Sequence, residues 1–214
     1  PCGPRDAQPA SGPAPAAPSA SVAPRELAPL AAESWRIDLP VVDFEPASVA
    51  VPLGAREPRP VVIALHGIAD RADWQCGTWT GISKARAFVL CPRGIKRGNV
   101  ETFGDFARTE KELRAALHAL KSRFGAHVSS GPVVLAGYSL GAMHAVMIAK
   151  QEPSFFARLV LVEGGHDRVS ATIAGVLAKG GAKRVLFACG QKDCERQSKH
   201  RMVYLRRAGV EGEL

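Results

Sequence analysis

Five short runs of nearly unbroken apolar residues punctuate the chain: Pro60–Leu65, Ala87–Cys91, Pro132–Ala136, Arg158–Val162 and Lys183–Cys189. Runs of this length, without polar alternation, are expected of strands buried on both faces of a parallel sheet. Between them the period changes. Leu113, Leu117, Leu120 and Phe124 recur at helical spacing from Arg108 to Phe124, with charges on the opposite side. Small residues from Gly141 to Gln151, a short segment near 169–179 and a basic stretch from Cys194 to Ala208 also read as helices. Trp35–Val42 and Ser48–Pro52 read as short antiparallel strands ahead of the first run, and Val210–Leu214 as the opening of a further strand. Alternating strand and helix units predict an α/β fold: a mostly parallel sheet with helices on both faces.

Composition sharpens this picture. The 214 residues, 46% of them apolar, suit one domain with a substantial core, taken as 31–214. Residues 1–30 differ: Pro, Ala and Ser dominate, and no large aliphatic side chain other than Val22 precedes Leu27. Such a segment buries too little to offset its ordering entropy and is expected to be a disordered tether. A cysteine at position 2 ahead of this tether resembles a mature bacterial lipoprotein. That likeness implies export to the periplasm, cell envelope or exterior, with a lipid anchor on Cys2 as the only membrane contact. The longest apolar stretch, Val133–Ala149, is interrupted by Ser139 and His144 and does not read as a spanning helix. The net charge of +8 is scattered over helix faces with few aromatics, so no nucleic-acid partner is expected. Among the cysteines, Cys91 and Cys189 end apolar runs and read as buried thiols, while Cys76 and Cys194 fall in expected loops and could bridge. Neither metal nor organic cofactor is implied.

Chemistry gathers at the carboxyl ends of strands in open α/β sheets. The third run ends in Gly137-Tyr138-Ser139-Leu140-Gly141, a G-x-S-x-G between a buried strand and a helix. In that context the glycines permit a tight turn, Ser139 stands exposed at its apex as a nucleophile, and the Leu140 N–H faces a developing oxyanion. The first run ends in His66-Gly67-Ile68. Leu65–Asp70, the Cys91-Pro-Arg-Gly strand end and the Ser139 turn together resemble the α/β-hydrolase superfamily, near the phospholipase/carboxylesterase, dienelactone-hydrolase and polyhydroxybutyrate-depolymerase-like families. The resemblance covers about residues 60–205. It implies the Ile68 N–H as second oxyanion donor, with His66 a structural member of its motif. It also implies a catalytic triad whose acid is Asp193, in Gly190-Gln-Lys-Asp after the fifth run, with Glu163 at the end of the fourth run in reserve.

The triad histidine should follow the acid and one more strand. His200 stands only seven residues past Asp193, within an expected helix, and His166 follows the fourth run as a cleft residue or a substitute base. His144 reads as a packing residue, and His118 and His127 as solvated ones. The expectation is therefore that the last strand, the histidine and a final helix lie beyond Leu214, in a C-terminal fragment or second chain that completes the fold. Segments 70–81, with Trp74 and Trp79, and 95–106 are expected as loops walling the pocket beside Tyr138. These features point to a serine hydrolase acting on a small or polymer-end ester, thioester or amide. The competing expectation is a catalytically inactive binding protein on the same fold.

Overall fold

In a computed structural model, residues 26–214 are described. Among the described residues eight strands form one sheet, in spatial order β1 (Arg36–Val41), β2 (Phe44–Ala50), β4 (Phe88–Cys91), β3 (Val61–Leu65), β7 (Val134–Tyr138), β8 (Arg158–Val162), β9 (Arg184–Ala188) and β10 (Glu211–Glu213). Two antiparallel strands, β1 and β2, lead in. The parallel strands β4, β3, β7, β8 and β9 are the five apolar runs. All five residues of β3 are buried, as expected of a central strand covered on both faces.

On one face lie α2 (Phe106–Phe124), α3 (Leu140–Ala149), α4 (Ala171–Lys179) and α5 (Lys192–Ala208). Their apolar sides share a core with Ile63, Leu90, Leu135, Leu161 and Phe187. Asp105 and Ser170 cap α2 and α4 by accepting from the Arg108 and Ile173 N–H groups. On the other face, among the described residues, a single helix, α1 (Ala72–Ile82), covers Ala64, Val89 and Ala136. Val160, Val162, Leu186 and Ala188 alternate with buried neighbours and point to this second face at the edge of α1, which covers them only in part. With Trp79, Ile82 and Tyr138 they line an apolar groove of about 460 Å³.

Several expectations are corrected here. The segment 70–81 is largely helical, not loop: Ala72, Cys76 and Trp79, at spacings of four and three, form its buried stripe. Within 95–106 a hairpin forms, β5 (Ile95–Arg97) with β6 (Val100–Thr102). The strand expected to open at Val210–Leu214 is present, by contrast: β10 (Glu211–Glu213) pairs parallel to β9. Val210 is buried beside it, and Arg184 pairs with Glu211 and Glu213.

The cysteines pair differently as well. Cys76 bonds Cys91 and Cys189 bonds Cys194. Cys76 is brought to the end of β4 by the buried stripe of α1, and Cys194 to the end of β9 by the first turn of α5. The stretch assigned to the tether ends early, since Leu30 is buried in the core and the Leu27 and Leu30 N–H groups donate to Arg56 and Ala55. Cys2 and the rest of the tether lie outside the described residues.

Candidate active site

Ser139 occupies the step from β7 into α3 at φ 52°, ψ −112°. A non-glycine residue pays about 1–3 kcal/mol for such a conformation, which persists only where its surroundings enforce it. Here the enforcement is steric. A Cβ on Gly141 would lie 2.2 Å from the Leu65 carbonyl oxygen, and one on Gly137 would lie 2.4 Å from the Gly141 carbonyl carbon. Only glycines let α3 press this closely on β7 and β3. The Ser139 N–H is fixed by the Val162 carbonyl at 2.8 Å, which ties the turn to β8.

The turn after β3 lies against this apex. A Cβ on Gly67 would meet the Tyr138 ring at 2.9 Å and the Ser139 Cβ at 3.6 Å. Ile68 follows, 70% exposed. Among the described residues, neither the Ile68 nor the Leu140 N–H donates to a protein acceptor. Two free donors at this end of the sheet, one of them opening a ten-residue helix, suit an oxyanion. Asp70 closes the turn, accepting from the Arg71 N–H at 2.7 Å and the Gln75 amide at 3.0 Å.

His66 is fully buried beneath that turn, its ring nitrogens 2.7 Å from the Gly67 oxygen and 2.9 Å from the Arg93 oxygen. It stacks on Phe103, which also packs on His144. The Arg93 guanidinium binds Glu101 at 2.7 Å and Asp38 at 2.6 Å, and Glu101 in turn caps α1 through the Ala72 N–H at 2.6 Å. Glu112, on the buried side of α2, accepts from the Gly94 N–H at 2.7 Å. Burial pushes its carboxyl above the usual range. These acidic groups were not recognised in the sequence. They hold the loop after β4 against His66, and the clue was the charge inside the α2 stripe.

The remaining candidates are spread out. Asp193 is exposed on the first turn of α5, where Arg196 and Gln197 of the same helix engage its carboxylate. Glu163, just past β8, has φ 48° and accepts from the Gly190 and Gln191 N–H groups. His166 opens a short turn at the end of β8, half-buried, with its Nδ1 unpartnered. His144 is buried in α3, and loss of hydration lowers its pKa to about 4. His118 and His200 are exposed, and His127 bonds the Ala28 carbonyl. Among the described residues no side chain hydrogen-bonds the Ser139 hydroxyl. Trp79 and Tyr138 line the groove, whereas Trp74 is exposed under Arg71.

No protein-family model and no curated protein matches the chain. Solved structures do. A dienelactone hydrolase-like promiscuous phosphotriesterase from metagenomic libraries is 17% identical, with 84% of this chain and 80% of that one covered, at a TM-score of 0.56. The fluorophosphonate-binding serine hydrolase F of Staphylococcus aureus is 13% identical, covering 83% and 86%, at 0.55. A Bacillus cereus carboxylesterase is 21% identical, covering 73% and 78%, at 0.52. With its strand order and its strained serine between β7 and α3, the chain has the α/β-hydrolase fold.

Proposed function

We propose that the chain is a serine hydrolase that cleaves a carboxylic ester, or a thioester or amide, through an acyl-enzyme on Ser139. The observation that carries this is the strained serine beside two unpartnered backbone N–H groups. Ser139 Oγ attacks the carbonyl carbon, and the oxygen that becomes an anion is received by the Ile68 and Leu140 N–H groups. An imidazole takes the serine proton and returns it to the leaving alcohol. Water, activated by the same imidazole, then releases the acid.

Asp193 is the proposed orienting acid. The imidazole is brought to Ser139 by a segment outside the described residues, seated on the open groove of Val160, Val162, Leu186 and Ala188. The apolar lining there, half-buried at these four residues and exposed at Ile82 and Tyr138, supports such a covering segment. Neighbours described as a carboxylesterase and as a dienelactone hydrolase-like enzyme fit a small or polymer-end ester as substrate. The two disulfides favour an oxidising, exported location, and attachment through Cys2 remains part of the proposal.

The lack of a described imidazole bonded to Ser139 favours a second reading, a non-catalytic binding protein. Turnover separates the two. Ser139→Ala in the full-length encoded protein should lower p-nitrophenyl butyrate hydrolysis by orders of magnitude. Hydrolysis near the wild-type rate in this variant would refute the serine mechanism.

A further inference from the structure

Three polar links run across the carboxyl ends of neighbouring strands. The Ser139 N–H donates to the Val162 oxygen at 2.8 Å, joining β7 to β8. One residue on, the Glu163 N–H donates to the Ala188 oxygen at 3.0 Å, joining β8 to β9. The Glu163 carboxylate then reaches the turn after β9, where Oε1 accepts from the Gly190 N–H and from the Gln191 N–H, the latter at 3.1 Å. Among the described residues no other side chain hydrogen-bonds these two N–H groups.

The backbone at Glu163 is held unusually. Its φ of 48° lies in the left-handed region, which a long side chain adopts only under constraint. The constraint is Gly164, where a Cβ would lie 2.7 Å from the Ser139 carbonyl oxygen. Glu163 therefore stands between two residues that touch the nucleophile turn, Val162 and Gly164, and reaches the acid turn through its side chain. A carboxylate suits this place because one ionised oxygen can accept from two adjacent N–H groups at once. Among the described residues Asp193 has no comparable hold from β8, since its carboxylate is engaged there only within α5.

We propose that Glu163 is a positioning residue. It anchors the Gly190–Asp193 turn to the Ser139 turn and so sets where the acid stands relative to the nucleophile. The consequence for catalysis rests on the serine-hydrolase reading, whereas the anchoring itself rests only on the hydrogen bonds. Asp193 keeps the acid role in this proposal and Glu163 the anchoring one, since Glu163 Oε1 already accepts from the turn.

Glu163→Ala, Glu163→Gln and Asp193→Asn in the full-length encoded protein test this by hydrogen exchange over 189–194 and by p-nitrophenyl butyrate kinetics. Loss of a charge-assisted hydrogen bond should speed exchange at Gly190 and Gln191 about 10- to 100-fold in Glu163→Ala. The displaced acid should lower kcat about 10- to 100-fold with little change in KM. Glu163→Gln keeps an acceptor oxygen, so it should retain protection and recover most of kcat. Asp193→Asn should leave protection intact and lose more activity than Glu163→Ala. If Glu163→Ala fails to fold, Glu163→Asp, one methylene short, serves in its place.

Unchanged protection in the alanine variant overturns the anchor. Protection kept in Glu163→Gln with activity as low as in Asp193→Asn overturns it too, and makes Glu163 the acid. A wild-type protein without ester turnover overturns the hydrolase reading, and exchange still decides the anchor.

Discussion

Two helical glycines make a matched pair with opposite predicted effects on substitution by alanine. A Cβ on Gly141 would sit 2.2 Å from the Leu65 oxygen, 2.5 Å from the Leu65 carbon and 2.6 Å from the His66 oxygen. All three are backbone atoms of the β3 end and cannot swing aside. Restoring ordinary contact requires α3 to retreat from β3 by about an ångström, and overpacking of this kind costs about 1–3 kcal/mol or more. The rest of α3 resists that retreat, because Ala142, Ala145, Val146, Ile148 and Ala149 are all essentially inaccessible. Gly175, in α4, has nothing within 4 Å of its would-be Cβ and a helical backbone. There alanine should add about 0.5–1 kcal/mol by reducing the freedom of the unfolded chain. At about 2–4 °C per kcal/mol for a domain of this size, Gly141→Ala should lower Tm by several degrees, up to about 12 °C, and Gly175→Ala should raise it by about 1–4 °C. Calorimetric or circular-dichroism melts of the two variants measure this directly. A Gly141→Ala protein within a degree of wild type, or two shifts of the same sign, would refute the close-packing account of the Ser139 turn.

Two further outcomes follow from burial. Cys76 and Cys91 are fully buried, while Cys189 is only half-buried. Mild thiol treatment of the folded protein should therefore reduce Cys189–Cys194 first, and alkylation mapped by mass spectrometry would show the reverse order if this is wrong. His144 has its pKa lowered from 6.5 to about 4 by burial, an effect that Asp105 opposes and that Arg168 and His66 reinforce. The unfolded imidazole then takes up its proton below about pH 6.5, whereas the folded one waits until about pH 4. Its contribution to stability is complete above 6.5 and is lost as pH falls from about 6.5 to 4. Replacing His144 with Leu should flatten the denaturation midpoint over that interval, and an unchanged slope would count against the assignment.

Much of the fold was legible because parallel strands buried on both faces leave unbroken apolar runs, and all five runs became β3, β4, β7, β8 and β9. The serine turn was legible for a related reason: G-x-S-x-G carries the glycines that close approach demands. Helix α1 was harder to see, since its buried stripe is Ala72, Cys76 and Trp79 among glycines and threonines rather than a row of leucines. The disulfides were out of reach because pairing depends on which strand end meets which helix turn, and local sequence does not encode that. Glu101 and Glu112 look like ordinary solvated carboxylates in the sequence, and Glu163 reads there only as a reserve acid for the triad. Only the folded chain shows that each accepts from a backbone N–H of a distant segment.

Covalent labelling of Ser139 tests the central claim most directly. The full-length encoded protein would be treated with a fluorophosphonate probe, digested, and the modified peptide sequenced by mass spectrometry. A catalytic serine between β7 and α3 predicts stoichiometric modification of Ser139, abolished in Ser139→Ala and slowed by a competing ester. A folded full-length protein that remains unlabelled, or that carries the label on another residue, would contradict it.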